Sequence, residues 1–330
     1  MKTVLIVAMI TLGPAFAHAQ TLTLSSPVAC KVGTDCFIQN YVDEDTTAAY
    51  RDYTCGSLSY DKHTGTDFRL PNMAAMRRGV AVIATAEGTV RGVRDNMQDV
   101  SIRATGEAAV KSRECGNGVV IDHASGFETQ YCHMRSGSIA VKQGERVKAG
   151  QRLGLIGLSG ATEFPHVHFE VRRLGRVLDP FTAQPIGAKC GTTGQTLWNA
   201  PTAAAFRYQS TALLGSGFHA AAPNADQVRS LATPITEVPR NAPGLFLWAD
   251  IMGPRNGDTL TLTIINRNGQ PLATRDLPFT RNQAQHFSFI GIKATEEGLT
   301  PGEYTGKIEL KRSGKADAVI AVETKVNVPD

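Results

Sequence analysis

Hydrophobic and polar residues alternate in short segments along most of the chain, which is the pattern of half-buried β-strands. Glycine and other turn formers bound four such segments in the first half: 80–84, 88–93, 118–122 and 127–132. Five more follow in the last third: 244–250, 259–265, 285–290, 302–310 and 318–326. Ala124-Ser125-Gly126 lies between two of the early segments and favours a hairpin turn. The pattern therefore predicts a mainly β protein.

A change of composition divides these strand segments into two sets. Gly191, Gly194 and Pro201 interrupt the chain between residues 180 and 211. The part of the chain that follows this interruption contains several short alternating strands, which is typical of an immunoglobulin-like β-sandwich. We expect this sandwich to be a binding or positioning module rather than a catalytic domain, because it holds no convergent set of catalytic residue types. The predicted divisions are an N-terminal arm at 20–56, a first domain at 57–192, a linker at 193–210 and the β-sandwich at 211–330.

Residues 1–19 have the features of a secretory signal peptide. Lys2 supplies a short positive region, Val4 to Leu12 form a short apolar core, and Ala17-His18-Ala19 fits a cleavage site. We predict that this segment is removed on export to the periplasm or to the outside of the cell. No later run approaches the ~18 apolar residues of a membrane helix, so no membrane span is expected after the signal peptide is removed.

The charge distribution argues against nucleic acid as a partner. The chain has a formal net charge of +4 and a pI near 8.7, and it contains no block of lysine and arginine. Its hydrophobic share of 42% is sufficient to form buried cores. The sequence leaves the oligomeric state open.

Six cysteines, all before residue 191, predict disulfide bonds, because an even number is typical of exported chains. Cys115 and Cys132 flank the predicted hairpin, so we expect them to pair across neighbouring strands. Cys30 and Cys36 are close in sequence and are expected to pair with each other. Zinc binding by cysteine is not favoured, since the chain has no C-x-x-C pair. The remaining pair is Cys55 with Cys190.

Two histidines, His166 and His168, stand two apart in a β-prone run that follows Pro165. Positions i and i+2 of a strand point to the same face, at a backbone separation of about 7 Å. Both imidazoles could hold one metal ion, or one could bind the metal while the other transfers protons. An isolated pair of this kind is equally compatible with two half-exposed strand histidines.

Further residues of the same chemistry favour a metal site. His63 and Asp67 are four apart, and His133 ends one of the alternating segments. A catalytic zinc site has three protein ligands from His, Cys, Asp or Glu and leaves the fourth position to water. His63, Asp67 and one histidine of the pair would supply three ligands, and two histidines would remain for acid–base catalysis. The other histidines of the two domains are expected to be structural or at the surface: His123, His219 and His286.

These motifs, H-x-x-x-D, a histidine after an aromatic-x pair, and H-x-H-F-E, resemble the lysostaphin-type (LytM-like) zinc metalloendopeptidases, which cut peptide cross-links in bacterial cell walls. The resemblance covers roughly residues 61–180. It implies one Zn²⁺ ion and peptidoglycan peptides as the substrate. It also implies the role of each residue: His63, Asp67 and His168 as zinc ligands, and His133 and His166 as catalytic histidines.

One departure concerns the residues before Pro165. The family often has a small Ser/Thr-Gly pair at this point, whereas this chain has Glu163 and Phe164. Because these side chains are larger, the shape of the substrate cleft is expected to differ, while the metal ligands are unaffected.

The stretch 141–154 resembles the repeated hairpins of lipoyl-like and hybrid β-barrels, so we expect a lipoyl-like, duplicated-hybrid-motif fold for the first domain. Lipoyl carriers and glucose-type phosphocarriers share this fold. Both act in the cytoplasm, which the predicted signal peptide contradicts, and neither requires His63 together with Asp67.

A second function class stays open at this point. The same scaffold could be a catalytically silent or autoinhibited protein that binds or regulates the cell wall. The polar insert at 95–114, or the N-terminal arm, would then block the cleft. Metal analysis and the release of new amines from purified cell wall would distinguish the two.

Overall fold

The computed structural model describes residues 22–191, 195–231 and 233–330. The predicted signal peptide, 1–19, lies outside the described residues, and so does the start of the predicted linker. The protein is mainly β, as the alternating pattern predicts. No helix of the described residues is long and apolar enough to cross a bilayer.

The first set of strands lies between Phe37 and Pro185. Its members are β1 (Phe37–Asn40), β2 (Thr66–Arg69), β3 (Ala81–Ile83), β4 (Gly88–Arg94), β5 (Asn117–Asp122), β6 (Phe127–Met134), β7 (Arg146–Val147), β8 (Arg152–Leu155), β9 (His166–Arg173), β10 (Arg176–Asp179) and β11 (Gln184–Pro185). The short helices here are α1 (Met73–Arg78) and α2 (Ile102–Thr105), with 3₁₀ turns at Glu107–Val110 and Ala124–Gly126.

Most of these strands form one antiparallel sheet in the order β1-β2-β9-β6-β5-β4-β7. β10 pairs with β9, β11 pairs with β10, and β3 and β8 form a separate two-stranded sheet. The central strand β9 lies between β2 and β6, and its Val167, Phe169 and Val171 side chains are fully buried. Alternate residues of β9 therefore form the core, and the opposite face carries His166 and His168.

The second set of strands forms two further antiparallel sheets, β12-β13-β16 and β15-β14-β17-β18. Leu245 and Leu247 from one sheet and Leu260 and Leu262 from the other are fully buried in a common core. The strands are β12 (Ala212–His219), β13 (Gly244–Met252), β14 (Asp258–Ile265), β15 (Pro271–Pro278), β16 (Gln285–Lys293), β17 (Gly302–Arg312) and β18 (Ile320–Val328), and the helices are α3 (Ala200–Ala205) and α4 (Ala225–Ser230).

The two sets of strands meet along β1. Phe37 forms a small buried cluster with Ala212, Leu214 and Met252 of the second set. Gln39 Nε2 donates a hydrogen bond to the Ala284 carbonyl oxygen at 3.1 Å. This junction is next to β2, which pairs with β1 and carries Asp67.

Three disulfides join the cysteines in the pairs that the sequence favours: Cys30–Cys36, Cys55–Cys190 and Cys115–Cys132. The second of these closes a separation of 135 residues and so ties the start of the first set of strands to its end. In the chain-entropy account, closing so long a loop stabilises the folded state by about 5 kcal/mol.

A buried pair of carboxyl groups gives the first testable prediction. Burial raises the pKa of Glu44 from 4.5 to about 7. Burial also raises the pKa of Asp179, and the nearby Glu44 carboxyl group adds to this increase. The folded protein therefore keeps a proton on Glu44 that the unfolded chain loses near pH 4.5. Since the folded state binds more protons, the free energy of unfolding falls as the pH rises from about 4.5 to 7.

Glu44→Gln cannot ionise and should remove this part of the pH dependence. We expect its free energy of unfolding, relative to the native sequence, to rise by about 1–3 kcal/mol between pH 5 and pH 8. Urea unfolding at both pH values measures this difference. Glu297→Gln, which changes an exposed carboxylate, is the matched control. The same pH slope in Glu44→Gln and the native protein would contradict the assignment.

Candidate metal centre

His63 and Asp67 reach the same point from a loop and the strand that follows it. His63 and Thr64 are irregular, and β2 begins at Thr66, so the H-x-x-x-D motif runs from a loop into a strand. Gly65 makes this passage possible, because a Cβ atom there would lie 2.6 Å from the His168 ring. The His63 and Asp67 side chains are both 2% exposed.

The H-x-H pair lies at the start of β9, beside β2. Asp67 is opposite His168, and Arg69 is opposite His166, in the antiparallel register. His168 therefore lies across from Asp67, and His166 lies one pair further along the same face. Pro165 directly precedes the strand, as the sequence predicts.

Three ligand atoms converge in this place: His63 Nε2, Asp67 Oδ1 and His168 Nδ1. The His63 nitrogen is 3.1 Å from the Asp67 oxygen, the His168 nitrogen is 2.9 Å from it, and the two nitrogens are 3.1 Å apart. Within the described residues, this is the one group of three or more His, Cys, Asp or Glu side chains close enough to hold a metal ion together.

This arrangement fits zinc. Ligand bonds of 2.0–2.2 Å at tetrahedral angles place neighbouring ligand atoms about 3.3 Å apart, close to the separations found here. Two imidazoles and one carboxylate form a ligand set that zinc commonly takes in catalytic sites, where a fourth position stays open.

Hydrogen bonds outside the three ligands fix their orientation. The Nδ1–H of His63 donates to the Tyr41 carbonyl oxygen at 2.7 Å, so its Nε2 lone pair is free for a metal. Asn40 Nδ2 donates to Asp67 Oδ2 at 3.0 Å, which turns Oδ1 towards the two histidines. The N-terminal arm thus supplies both Tyr41 and Asn40 to the centre.

Glu170 supports the third ligand. It follows His168 by two residues on the same face of β9, and its Oε2 is 3.8 Å from His168 Nε2. Thr64 donates a hydrogen bond to the same oxygen, and Arg172 forms an ion pair with Oε1. A carboxylate beside the free nitrogen of a metal-binding histidine orients the ring and makes it a stronger ligand.

We therefore expect Glu170→Gln to weaken zinc binding by about 10- to 100-fold, because the neutral amide orients the His168 ring less strongly and makes it a weaker ligand. Competition with a chelator of known zinc affinity measures the change. Glu128→Gln is the matched control, since Glu128 pairs with Arg91 and Arg172 rather than with His168. Zinc affinity equal to that of the native protein in Glu170→Gln would contradict this role.

His133 is brought to the centre by a β-bulge. Asn117 pairs with Met134 and Val119 with Tyr131, so β6 has one more residue than β5 between these pairs. His133 itself has a φ of 59°, in the left-handed region that non-glycine residues seldom adopt. The bulge turns its ring towards the H-x-H pair, with ring centroids 4.6 Å from His166 and 6.1 Å from His168.

The remaining nitrogens of His133 and His166 are available for chemistry. His133 Nδ1–H donates to the Ser159 carbonyl oxygen at 2.8 Å. His166 Nδ1 lies 3.0 Å from both the Phe164 carbonyl oxygen and Thr162 Oγ1, and its Nε2 lies 3.5 Å from Asp67 Oδ1. In both rings the Nδ1 contact leaves Nε2 as the nitrogen that can accept a proton.

The buried position shifts the charges of the centre. Burial, with the nearby His166 and His168, lowers the pKa of His133 well below its usual value, so this ring is neutral at pH 7. Burial opposes the charge of Asp67, but neighbouring histidines hold its pKa well below the usual value. Burial also opposes the charge of His168, yet hydrogen bonds to Asp67 and Glu170 raise its pKa to about 9. A metal ion must therefore displace a proton from His168, and its affinity falls as the pH is lowered.

The insert at 95–114 borders this centre. Ile102 donates its backbone N–H to the Thr162 carbonyl oxygen at 2.9 Å, and Arg103 forms an ion pair with Glu163. The insert therefore contacts the segment that leads directly into His166.

Comparison with known proteins identifies the part of the chain that holds this centre. Residues 61–180 match the family model described as peptidase family M23. This segment is an M23 peptidase domain. All five residues of the predicted site lie within it.

Two curated relatives and one solved structure illustrate the similarity of the M23 domain. The peptidoglycan DD-endopeptidase ShyB of Vibrio cholerae is 33% identical over 158 residues, which cover 45% of this chain and 32% of that protein. ShyA of the same species is 32% identical over 121 residues, covering 37% and 23%. A crystal structure of a zinc-containing peptidase from Vibrio cholerae is 30% identical, covers 46% of this chain and 40% of that one, and has a TM-score of 0.29. The chain thus spans a third or less of the length of these two curated relatives.

The sequence analysis named the five histidine and aspartate residues of the candidate centre and missed three residues that support them. Glu170 has a signal in the sequence, because it continues the spacing of two residues that puts His166 and His168 on the same strand face. Asn40 and Tyr41 have none, since they come from the irregular arm and act only through contacts formed in the folded chain. The predicted structural role of His123 agrees with its hydrogen bonds to Glu87 and Thr129, away from the centre.

Proposed function

We propose that the protein is an exported zinc endopeptidase that hydrolyses the peptide cross-links of peptidoglycan. The observation that carries this proposal is the convergence of His63, Asp67 and His168 beside two further histidine rings within an M23 domain. The names of the relatives ShyB and ShyA, both peptidoglycan DD-endopeptidases, support the substrate class. The three disulfides support export, because such bonds persist in oxidising compartments.

We assign His63, Asp67 and His168 to zinc and His133 and His166 to catalysis. Bound zinc supplies Lewis acidity and lowers the pKa of a bound water towards 7. His166 takes a proton at Nε2 and gives it to the leaving amine, since this nitrogen lies beside Asp67 and its Nδ1 is held by Phe164. His133 offers a neutral ring, fixed by Ser159, that hydrogen-bonds the water or the developing oxyanion.

Digestion of purified peptidoglycan with the zinc-loaded protein tests this function. Mass spectrometry of the soluble fragments should show new amine termini within the cross-links and intact glycan bonds. A chelator should stop the release, and added zinc should restore it. Fragments cut only in the glycan, or no fragments at all from an accessible substrate, would contradict the proposal.

The alternative, a silent or autoinhibited wall-binding protein, has one supporting observation. The insert at 95–114 contacts Thr162 and Glu163, close to His166, which is a position from which it could block the cleft. Under this alternative the zinc-loaded protein would bind peptidoglycan without releasing amines. Removal of the insert would then restore hydrolysis.

We also propose the domain organisation: an arm at 20–56, a duplicated-hybrid-motif peptidase domain at 57–192, a linker at 193–210 and an immunoglobulin-like β-sandwich at 211–330. The separate core shared by β13 and β14 supports the last division. The contacts of Phe37 and Gln39 with the second set of strands indicate that the two domains meet next to the metal centre.

A further inference from the structure

A cavity of about 580 Å³ lies at the junction of the two sets of strands. Arg69, Phe164 and Pro165 line it from the M23 domain. Arg229 and Gln285 line it from the second set of strands. The cavity is therefore completed by residues that lie outside the segment matched to the family.

Arg69 is the unusual member of this wall. It is 2% exposed, yet no carboxylate of the described residues forms an ion pair with it. Its hydrogen bonds go to neutral oxygens: Nη1 donates to Gln39 Oε1 at 2.5 Å and to Gln285 Oε1 at 3.3 Å, and Nε donates to the Leu70 carbonyl at 3.3 Å. A buried guanidinium without a counter-ion is costly, which makes it a ready partner for an anionic ligand.

The other two arginines of the cavity already have carboxylate partners. Arg229 binds Asp250 through two hydrogen bonds of 2.7 and 2.9 Å, and Arg103 pairs with Glu163. Gln285 separates Arg69 from Asp250, since its amide nitrogen donates to both Asp250 oxygens. Asp250 is therefore matched by Arg229, and the charge of Arg69 remains unpaired.

The position of Arg69 relates the cavity to the reaction centre. Its Cζ lies 4.4 Å from the centroid of the Phe164 ring, and that ring lies 4.8 Å from the ring of His166. Arg69 also follows Asp67 by two residues on the same strand face, a distance of about 7 Å at the backbone. An extended peptide covers this distance in two residues.

We propose that Arg69 is a specificity residue that binds a carboxylate of the peptide substrate, two residues from the bond that is cleaved. The inference rests on the proposed peptidase function and names the chemistry of its substrate. The guanidinium offers a planar pair of donors that suits a carboxylate. Phe164, one of the two residues that depart from the usual family pattern, holds the guanidinium against its ring face, so the departure and the anion site belong together.

Synthetic cross-linked peptides test the site. Two matched pairs are needed, one differing on the amino side of the scissile bond and one on the carboxyl side. Within each pair, the residue two positions from the bond carries either a carboxylate or a carboxamide. We expect the zinc-loaded native protein to prefer the carboxylate in one pair by about 10- to 100-fold in kcat/KM, as for a charged hydrogen-bonded pair. Arg69→Gln should reduce this ratio to near one.

The ratio is independent of a general loss of activity, because each variant serves as its own reference. Arg69→Lys keeps the charge without the planar donor pair and should show an intermediate ratio, which covers the case in which Arg69→Gln does not fold. Arg103→Gln is the matched control, since Arg103 lines the same cavity but is paired with Glu163, and it should keep the native ratio. Equal cleavage of both peptides by the native protein, or a preference that survives in both Arg69 variants, would overturn the assignment.

Calorimetry with uncleavable versions of the same peptides, in which the scissile amide is reduced, separates this site from the proposed function. Tighter binding of the carboxylate peptide that is lost in Arg69→Gln supports the anion site even if no peptide is hydrolysed. Hydrolysis of both peptides without any difference in binding or rate would leave the peptidase function standing and remove the anion site.

Discussion

Replacing His63, Asp67 or His168 with alanine is expected to weaken zinc binding by more than about 100-fold and to reduce peptidoglycan hydrolysis to background. Each substitution removes one of the three atoms that converge within 3.1 Å. Loss of a residue that only supports a ligand costs 10- to 100-fold in metal affinity, so loss of a ligand itself should cost more. Zinc content after dialysis, measured by elemental analysis, is the direct readout.

His219→Ala is the matched control for the histidine substitutions. His219 lies in β12, and its ring contacts the backbone of Ala221. This variant should retain one zinc per chain and full activity. A His63→Ala, Asp67→Ala or His168→Ala protein that is folded and still holds one zinc per chain would contradict the proposed ligand set.

Strand prediction succeeded where one face of a strand is buried more deeply than the other. The alternating segments at 118–122, 127–132 and 259–265 fall within β5, β6 and β14. β15 gave no such pattern, because its residues are mostly exposed on both faces and it has proline at each end. β2 has only four residues and is buried on both faces, so its sequence shows no alternation. Alternation therefore reports half-buried strands and misses fully exposed or fully buried ones.

The candidate metal centre was proposed from the sequence because three histidine-containing motifs occur together in one part of the chain, which chance seldom produces. The unpaired charge of Arg69 was not accessible, since it depends on Gln39 and Gln285, which are 30 and 216 residues away in the chain. The β-bulge at His133 was also hidden, because an extra residue in one strand can be recognised only against its partner strand.

Replacing His166 or His133 with alanine should separate catalysis from metal binding. Neither ring supplies one of the three converging ligand atoms, so zinc content should stay near one per chain. Hydrolysis should nevertheless fall by roughly 10²- to 10⁴-fold, the usual contribution of a positioned acid–base group. Parallel measurement of zinc content and of amine release from peptidoglycan tests both statements on the same protein samples.

The comparison of His166→Ala with His168→Ala is the sharpest form of this test, because the two residues are neighbours on one strand face, with side chains that are 6% and 13% exposed. If His168→Ala keeps zinc and His166→Ala loses it, the ligand and the proton carrier have been assigned in the wrong order. If both variants keep zinc and full activity, the pair is ordinary β-strand sequence and the metal centre lies elsewhere. The proposed mechanism requires the remaining outcome, in which both variants lose activity and only His168→Ala loses the metal.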